Sequence, residues 1–412
     1  MMDFIDNKVS NRLGGPSFFE DNNKLYKFEK VKKITKEVQS KFPDIKLIDM
    51  GVGEPDKMAH KSLVDILSIE AGKPENRFYS DNGIIEFQEA ACKYLENIYN
   101  LKNITTENIV HGIGSKPVLA MLPLCFINTG DICLMPSPAY QVLGTYSKYI
   151  GGETYNLPLC PENNFYPDLD NIPNEIKKRA KLLYLNYPNN PTGQVATKEF
   201  YEYAVKFAKD NGILIISDLA YGPLTYGDCK PLSILSIEGA IDVCIEIHSL
   251  SKAFNMTGWR LAFVVGSKKA MKVYSTVKGH TDSGQFRAIQ KSGAYALNHF
   301  NLIELNKDRY LRRFNLLIDV LRQVGFKIDK PKGGFYSYVP IPIGVKDGIR
   351  FKNAEEASLY ILSNALISTV PWDDCGSFLR FSVTYDANSL SDELKVMDDL
   401  KNRLLSLNLE FE

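Results

Sequence analysis

KLLYLNYPNNPTGQVATKEFYEYAVKFAKDNGILIISDLAY, residues 181–221, decides the fold class. LLYLNY and ILIIS are apolar, β-rich and short, the length of buried strands. Between them EFYEYAVKFAKDNG carries helical spacing and closes on Asp-Asn-Gly, a plausible C-cap. Working outward, IVHGIG, DICLMP, VCIEIHS and LAFVVGS continue the alternation of strand and helix. That alternation predicts an α/β fold with a mostly parallel sheet covered by helices on both faces.

After about Gly293 the pattern changes. IELNKDRYLRRFNLLIDVLRQVG reads as a long helix, GGFYSYVPI as a β-rich hairpin region, AEEASLYILSNAL as a helix and FLRFSVTY as a strand. The expected organisation is a large domain over residues 47–293 and a smaller α+β domain over 294–412. Residues 1–46 form an arm contributing to the smaller domain and the active site. In that arm Phe28, Val31, Ile34, Val38 and Phe42 recur at helical spacing. Two unequal lobes with a cleft between them suit a small-molecule site. No repeat, low-complexity tract or Pro/Gly-rich linker interrupts the chain.

The 412 residues are 44% hydrophobic and 24% charged, with 49 basic against 49 acidic side chains. That balance points away from nucleic acid or an anionic membrane as partner. The first residues lack an apolar signal core, and no run approaches the ~20 residues that span a bilayer. A cytoplasmic protein is expected. The seven cysteines (92, 125, 133, 160, 229, 244 and 375) include no C-x-x-C pair. They read as reduced thiols rather than a disulfide frame or zinc site. The five histidines show no H-x-x-x-H spacing, so no metal is expected.

Chemistry-bearing residues fall at or near the carboxyl ends of the predicted strands, where open α/β sheets bind ligands. Lys252, in SLSK after VCIEIHS, sits where partial desolvation lowers an amine's pKa and frees it for Schiff-base chemistry. Ser249, Ser251 and Arg260 suit a phosphate; the alternative is an ordinary charged surface loop. Asp218 closes ILIIS, where a carboxylate is expensive unless it meets a buried cation such as a protonated pyridine nitrogen. Tyr221 follows three residues on, and a helix N-cap is the competing role for Asp218. NNPTG (189–193) is a turn in which Asn190 can donate to a ring oxygen. Ser115 and Lys116 open a helix after Gly112-Ile113-Gly114, and such a helix start binds phosphate. Arg380, among apolar neighbours in FLRFSVTY, needs an anion, either a substrate carboxylate or a structural partner. Arg287 fits a site or an open surface equally.

GVGEPD (51–56), YSDNG (79–83), GIGSK (112–116), PSPAY (136–140), NNPTG, SDLAY (217–221), SLSK (249–252), GWR (258–260) and FLRFS (378–382) follow one another in this order. In that order they resemble the class I/II aminotransferases of fold type I, which carry pyridoxal 5'-phosphate. The resemblance implies Lys252 as the Schiff-base lysine and proton shuttle, Asp218 against the pyridine nitrogen, and Asn190 and Tyr221 on the ring oxygen. It further implies Ser115, Lys116, Ser249, Ser251 and Arg260 on the phosphate, Tyr140 stacked on the ring, and Arg380 with Gly53 at the substrate carboxylate. Tyr79 would reach the phosphate of a neighbouring subunit, which implies a homodimer with shared sites.

Within that group, FPDIKLIDMGVGE, DSGQF (282–286) and VPWDDCGSFLRFSVTY (370–385) are most similar to LL-diaminopimelate aminotransferases, and Tyr26 would contact substrate. The implied reaction passes the amino group of LL-2,6-diaminopimelate to 2-oxoglutarate in lysine synthesis. Arg287 departs from that pattern, and as a receiver of a distal carboxylate it would suit aspartate or glutamate instead. A carbon–sulfur lyase on the same scaffold is the alternative enzyme, since one fold hosts many chemistries. A cofactor-binding transcription regulator would need a DNA-reading module, which the first 46 residues are too short to supply.

Overall fold

The computed structural model describes residues 4–19 and 27–412. After a two-residue strand β1 (Ile48–Asp49), the apolar runs become β2 (Ile109–Gly112), β3 (Ile132–Ser137), β4 (Glu153–Pro158), β5 (Ala180–Asn186), β6 (Leu214–Leu219), β7 (Cys244–Ser249) and β8 (Ala262–Gly266). Strands β2 to β8 form one sheet in the order β2-β8-β7-β6-β5-β3-β4. Only β8 runs against its neighbours; the remaining pairings are parallel. Leu182, Leu183, Ile215, Ile216, Ile245 and Ile247 are wholly buried because helices cover both faces. The helix Lys198–Asn211 links β5 to β6. Thr197 caps its start by accepting from the Phe200 amide, and Gly212 ends it at φ +66°. A glycine there takes the left-handed turn without a Cβ clash.

The C-terminal part is built differently. Strands β9 (Tyr336–Pro340), β10 (Gly344–Val345), β11 (Ile367–Ser368), β12 (Val370–Trp372), β13 (Phe378–Ser382) and β14 (Leu409–Glu410) alternate with the helices Ala354–Ala365 and Leu390–Ser406. An antiparallel sheet runs β12-β13-β9, β10 pairs with β14, and β1 pairs in parallel with β11. The chain just before residue 51 therefore lies with the C-terminal part. Position 293 falls inside the helix Arg287–Asn298. Arg313, wholly buried on the helix Leu302–Val324, ties the two regions together. It donates to Glu393 at 2.8 Å, to Asp56 at 3.0 Å and to the carbonyls of Val383, Tyr385 and Ala387. A guanidinium in such a place is tolerable only when this fully hydrogen-bonded.

In the arm, the helix Lys27–Lys41 sets Val38 and Ile34 against Leu362 and Leu366. Phe42 lies beyond the helix end and is exposed, so the apolar period stops one residue early. Tyr26 lies outside the described residues, as do the side chains of Phe28 and Val31. No helix among the described residues is long and apolar enough to cross a membrane.

The expectation of reduced thiols fails for one pair. Cys160, just after β4, and Cys375, between β12 and β13, form a disulfide with Cα atoms 5.6 Å apart. They are 215 positions apart in sequence, so spacing carried no signal of their meeting. Beside the bond, Ser137 donates to Asp374 at 2.7 Å, and Phe165 meets the stacked rings of Tyr338 and Phe378. Cys92, Cys125, Cys133, Cys229 and Cys244 remain thiols, and burial pushes Cys133 up to about 12.

A crosslink closing so long a loop stabilises mainly by restricting the unfolded chain. Cys375→Ala is expected to lower unfolding free energy in urea by about 2–4 kcal/mol. Five titratable thiols in unreduced wild-type protein, with the 160–375 peptide pair found by mass spectrometry, would agree; seven would not.

Candidate active site

A cavity of about 420 Å³ opens at the carboxyl ends of the parallel strands. Register builds its floor: Asn186, ending β5, is the partner of Asp218 near the end of β6. Ser249 ends β7 and caps the short helix Leu250–Ala253, on which Lys252 stands. Three adjacent strand ends thus deliver an amide, a carboxylate and an amine to one place.

Asp218 is only 4% exposed. Burial pushes its carboxyl up to about 6, against the pull of two hydrogen bonds. Tyr184 donates to Oδ2 at 3.0 Å and the Ala220 amide to Oδ1 at 3.1 Å. The N-cap role is not taken, because Asp218 lies within β6 and no helix opens on it. Asn186 donates to the Asp218 carbonyl at 2.8 Å and accepts from the Asn190 amide at 3.0 Å. The NNPTG turn is thereby tied to the aspartate.

Lys252 donates from Nζ to the Gly53 carbonyl at 2.7 Å. Burial pulls its pKa down to about 8; Glu54 opposes the shift, and Arg260 and Arg380 assist it. At pH 7 about a tenth of such amines are neutral, against well under a thousandth for an ordinary lysine. The amine is a usable nucleophile and base.

An anion site lies at the start of the 12-residue helix Ser115–Phe126. Gly114 before it adopts φ +81°, and a Cβ there would fall on the guanidinium of Arg260. Arg260, itself at φ +57°, is steadied by donating to the Thr257 carbonyl at 2.9 Å. Ser115, Lys116, Ser249 and Ser251 line the same cavity. Helix-start amides, a guanidinium and hydroxyls together suit a phosphate.

Opposite stands Arg380, 1% exposed, donating to Asn190 Oδ1 and to the Gly51 carbonyl, both at 2.9 Å. Its guanidinium lies 4.0 Å from the Tyr336 ring centre. The Tyr336 hydroxyl is 3.2 Å from that of Tyr221. Gly53 and Tyr140 also line the cavity.

Two predicted residues lie elsewhere. Tyr79 is 79% exposed and absent from the cavity wall of its own chain. Arg287 is also outside the wall, donating from Nη2 to the Tyr79 carbonyl at 2.6 Å. Glu54, Asn186, Thr257 and Tyr336 line the cavity without having been predicted. Only Tyr336 had a readable signal, an aromatic after the Gly-Gly turn of GGFYSY.

The residues fit pyridoxal phosphate. The cradle closed by Gly114 and Arg260 suits its phosphate, buried Asp218 needs a cation such as its ring nitrogen, and Lys252 suits its aldehyde.

A family model described as aminotransferase class I and II matches residues 45–393. The chain is 49% identical to the LL-diaminopimelate aminotransferase of Methanocaldococcus jannaschii and 47% identical to that of Methanococcus maripaludis, in each case over 100% of both chains. Among solved structures, substrate-bound BacF from Bacillus subtilis superposes with a TM-score of 0.84 at 32% identity, covering 93% of this chain and 95% of that one.

Gly114→Ala would push Arg260 from the cradle. Affinity for pyridoxal phosphate, read by equilibrium dialysis against the freshly resolved protein, is expected to fall about 10- to 100-fold. An unchanged affinity would remove Arg260 from the phosphate site.

Proposed function

We propose that this chain, which belongs to the aminotransferase class I and II family, takes the amino group of LL-2,6-diaminopimelate and gives it to 2-oxoglutarate. Tetrahydrodipicolinate and glutamate are then the products, in lysine synthesis in the cytoplasm. The observation that carries the substrate is the full-length likeness to two LL-diaminopimelate aminotransferases at 49% and 47% identity. Arg287 donates to the Tyr79 carbonyl outside the cavity of its own chain and in a dimer would stand with Tyr79 beside the partner's cavity, which keeps aspartate or glutamate as the second reading.

Pyridoxal phosphate, when bound, supplies an aldehyde carbon and an electron-withdrawing ring that accepts the electron pair left as the substrate Cα–H bond breaks. Each remaining task falls to a side chain. Lys252, with its amine pulled down to about 8, would hold the group at its aldehyde carbon and would carry the proton to and from the substrate Cα. Asp218 would present a fixed carboxylate to the ring nitrogen and would keep it protonated. Asn190 and Tyr221 would donate to the ring oxygen. Arg380, aimed by Asn190 and Gly51, takes the α-carboxylate in a two-pronged contact and so sets which Cα bond faces the amine.

A second copy of the chain completes this reading. Tyr79 and its exposed neighbour Phe78 lie outside the cavity of their own chain. A homodimer would deliver Tyr79 to the partner's phosphate cradle. Tyr79→Ala and Lys252→Ala chains, each weakened or inactive alone, are expected to regain one working site per mixed dimer when refolded together. Absence of any recovery would argue that the sites are not shared.

The donor is tested by offering LL-diaminopimelate, aspartate, glutamate, alanine and aromatic amino acids singly and following loss of the cofactor's absorbance. LL-diaminopimelate is expected to react fastest; preference for another donor overturns the assignment. In the resolved protein, capture of the aldehyde should slow about tenfold per pH unit below about 8, because protonation removes the attacking lone pair. Lys252→Ala should abolish turnover.

A further inference from the structure

Tyr336 stands where two parts of the cavity meet. It opens β9, paired with Ser382 of β13, while Arg380 on the same strand pairs with Tyr338. Tyr336 and Arg380 are thus diagonal neighbours on one face of an antiparallel pair, close enough for an aromatic ring to reach the other side chain. The ring lies under the guanidinium at 4.0 Å and the hydroxyl reaches Tyr221 at 3.2 Å. Phe335 packs edge-on against both tyrosines, at 4.7 Å from Tyr336 and 5.2 Å from Tyr221. Across the cavity, a Cβ on Gly53 would come to 3.0 Å from the Tyr336 hydroxyl, so the loop at 51–56 leaves just enough room for it.

We propose that Tyr336 is a positioning residue that joins the guanidinium of Arg380 to the hydroxyl of Tyr221, so that the receiver of the substrate carboxylate and the donor to the cofactor's ring oxygen move as one unit. The inference rests on the reading of Arg380 and Tyr221 given above. A cation over an aromatic face is worth most when water is excluded, and here both partners are buried. The hydroxyl does separate work. With Tyr221 donating to the ring oxygen, its own oxygen accepts from Tyr336, and a donor chain of this kind strengthens the terminal bond. A carboxylate arriving on Arg380 neutralises the charge that holds the Tyr336 ring, and the change is passed to the Tyr221 hydroxyl.

Two variants of the holoenzyme separate ring from hydroxyl, with Arg380→Lys as reference. Tyr336→Phe keeps the stack and loses the hydroxyl. Its KM for LL-diaminopimelate should stay within about two-fold of wild type while kcat falls about 3- to 10-fold. Given weaker donation from Tyr221, the ring oxygen holds the neighbouring proton more tightly. The pH midpoint of the bound cofactor's absorbance change should therefore rise by about half a unit to one unit. Tyr336→Leu also removes the ring and should raise KM about 3- to 30-fold. A residue that merely fills space would leave the midpoint where it is. An unshifted midpoint in Tyr336→Phe beside a raised KM in Arg380→Lys overturns the coupling alone. An unchanged KM in Arg380→Lys overturns the carboxylate reading beneath it, and the coupling with it.

Discussion

A carboxylate enclosed in the cavity floor is the constraint around which the site is organised. Holding Asp218 up to about 6 means that its ionised form is disfavoured in the folded chain by about 3 kcal/mol relative to solvent. The sign follows from the raised value. An acid whose folded pKa lies above its unfolded one makes the cofactor-free fold less stable as pH rises from about 4 to 6. Hydrogen bonds from Tyr184 and the Ala220 amide already hold that cost below what burial alone would impose. A cation brought against the carboxylate lowers it further, and a pyridinium ring does so while having its own proton held in place.

The remaining parts are placed by topology. Parallel strands β5, β6 and β7 end side by side, so Asn186, Asp218 and Ser249 arrive together without any long loop. The loop at 51–56 leaves β1, which pairs with β11 of the C-terminal part, and then lines the cavity with Gly53 and Glu54. Its carbonyls engage both cations, Gly51 accepting from Arg380 and Gly53 from Lys252. Asp56 in the same loop holds buried Arg313. One short segment therefore links Arg380, Lys252 and the packing of the C-terminal helices.

Much of this was legible in the chain. Lys252 and Asp218 were readable because each is a charged residue closing an apolar run, an arrangement that burial makes costly without a purpose. Arg380 was readable for the same reason, and Gly114 because its neighbours spell a helix start. Other features depend on tertiary proximity and leave no local trace. Tyr184 and Asn186 look like ordinary residues of a buried strand. The reversed direction of β8 was hidden, since LAFVVGS is apolar whichever way it runs. Cys160 and Cys375 were misread as thiols because only the folded chain brings them together. The apolar period of the arm overshot at Phe42, where the helix had already ended.

That disulfide also makes the polypeptide a lariat. The covalent ring from 160 to 375 encloses Asn190, Asp218, Tyr221, Lys252, Arg260 and Tyr336. A backbone nick anywhere inside it leaves a single connected molecule, with Lys252 and Asp218 still on the same covalent body. A nick between residues 116 and 160 severs the segment bearing Ser115 and Lys116, which only non-covalent packing then retains. Gly53, Ser115 and Lys116 ahead of the ring and Arg380 beyond it are among the parts of the cavity wall least protected against cutting.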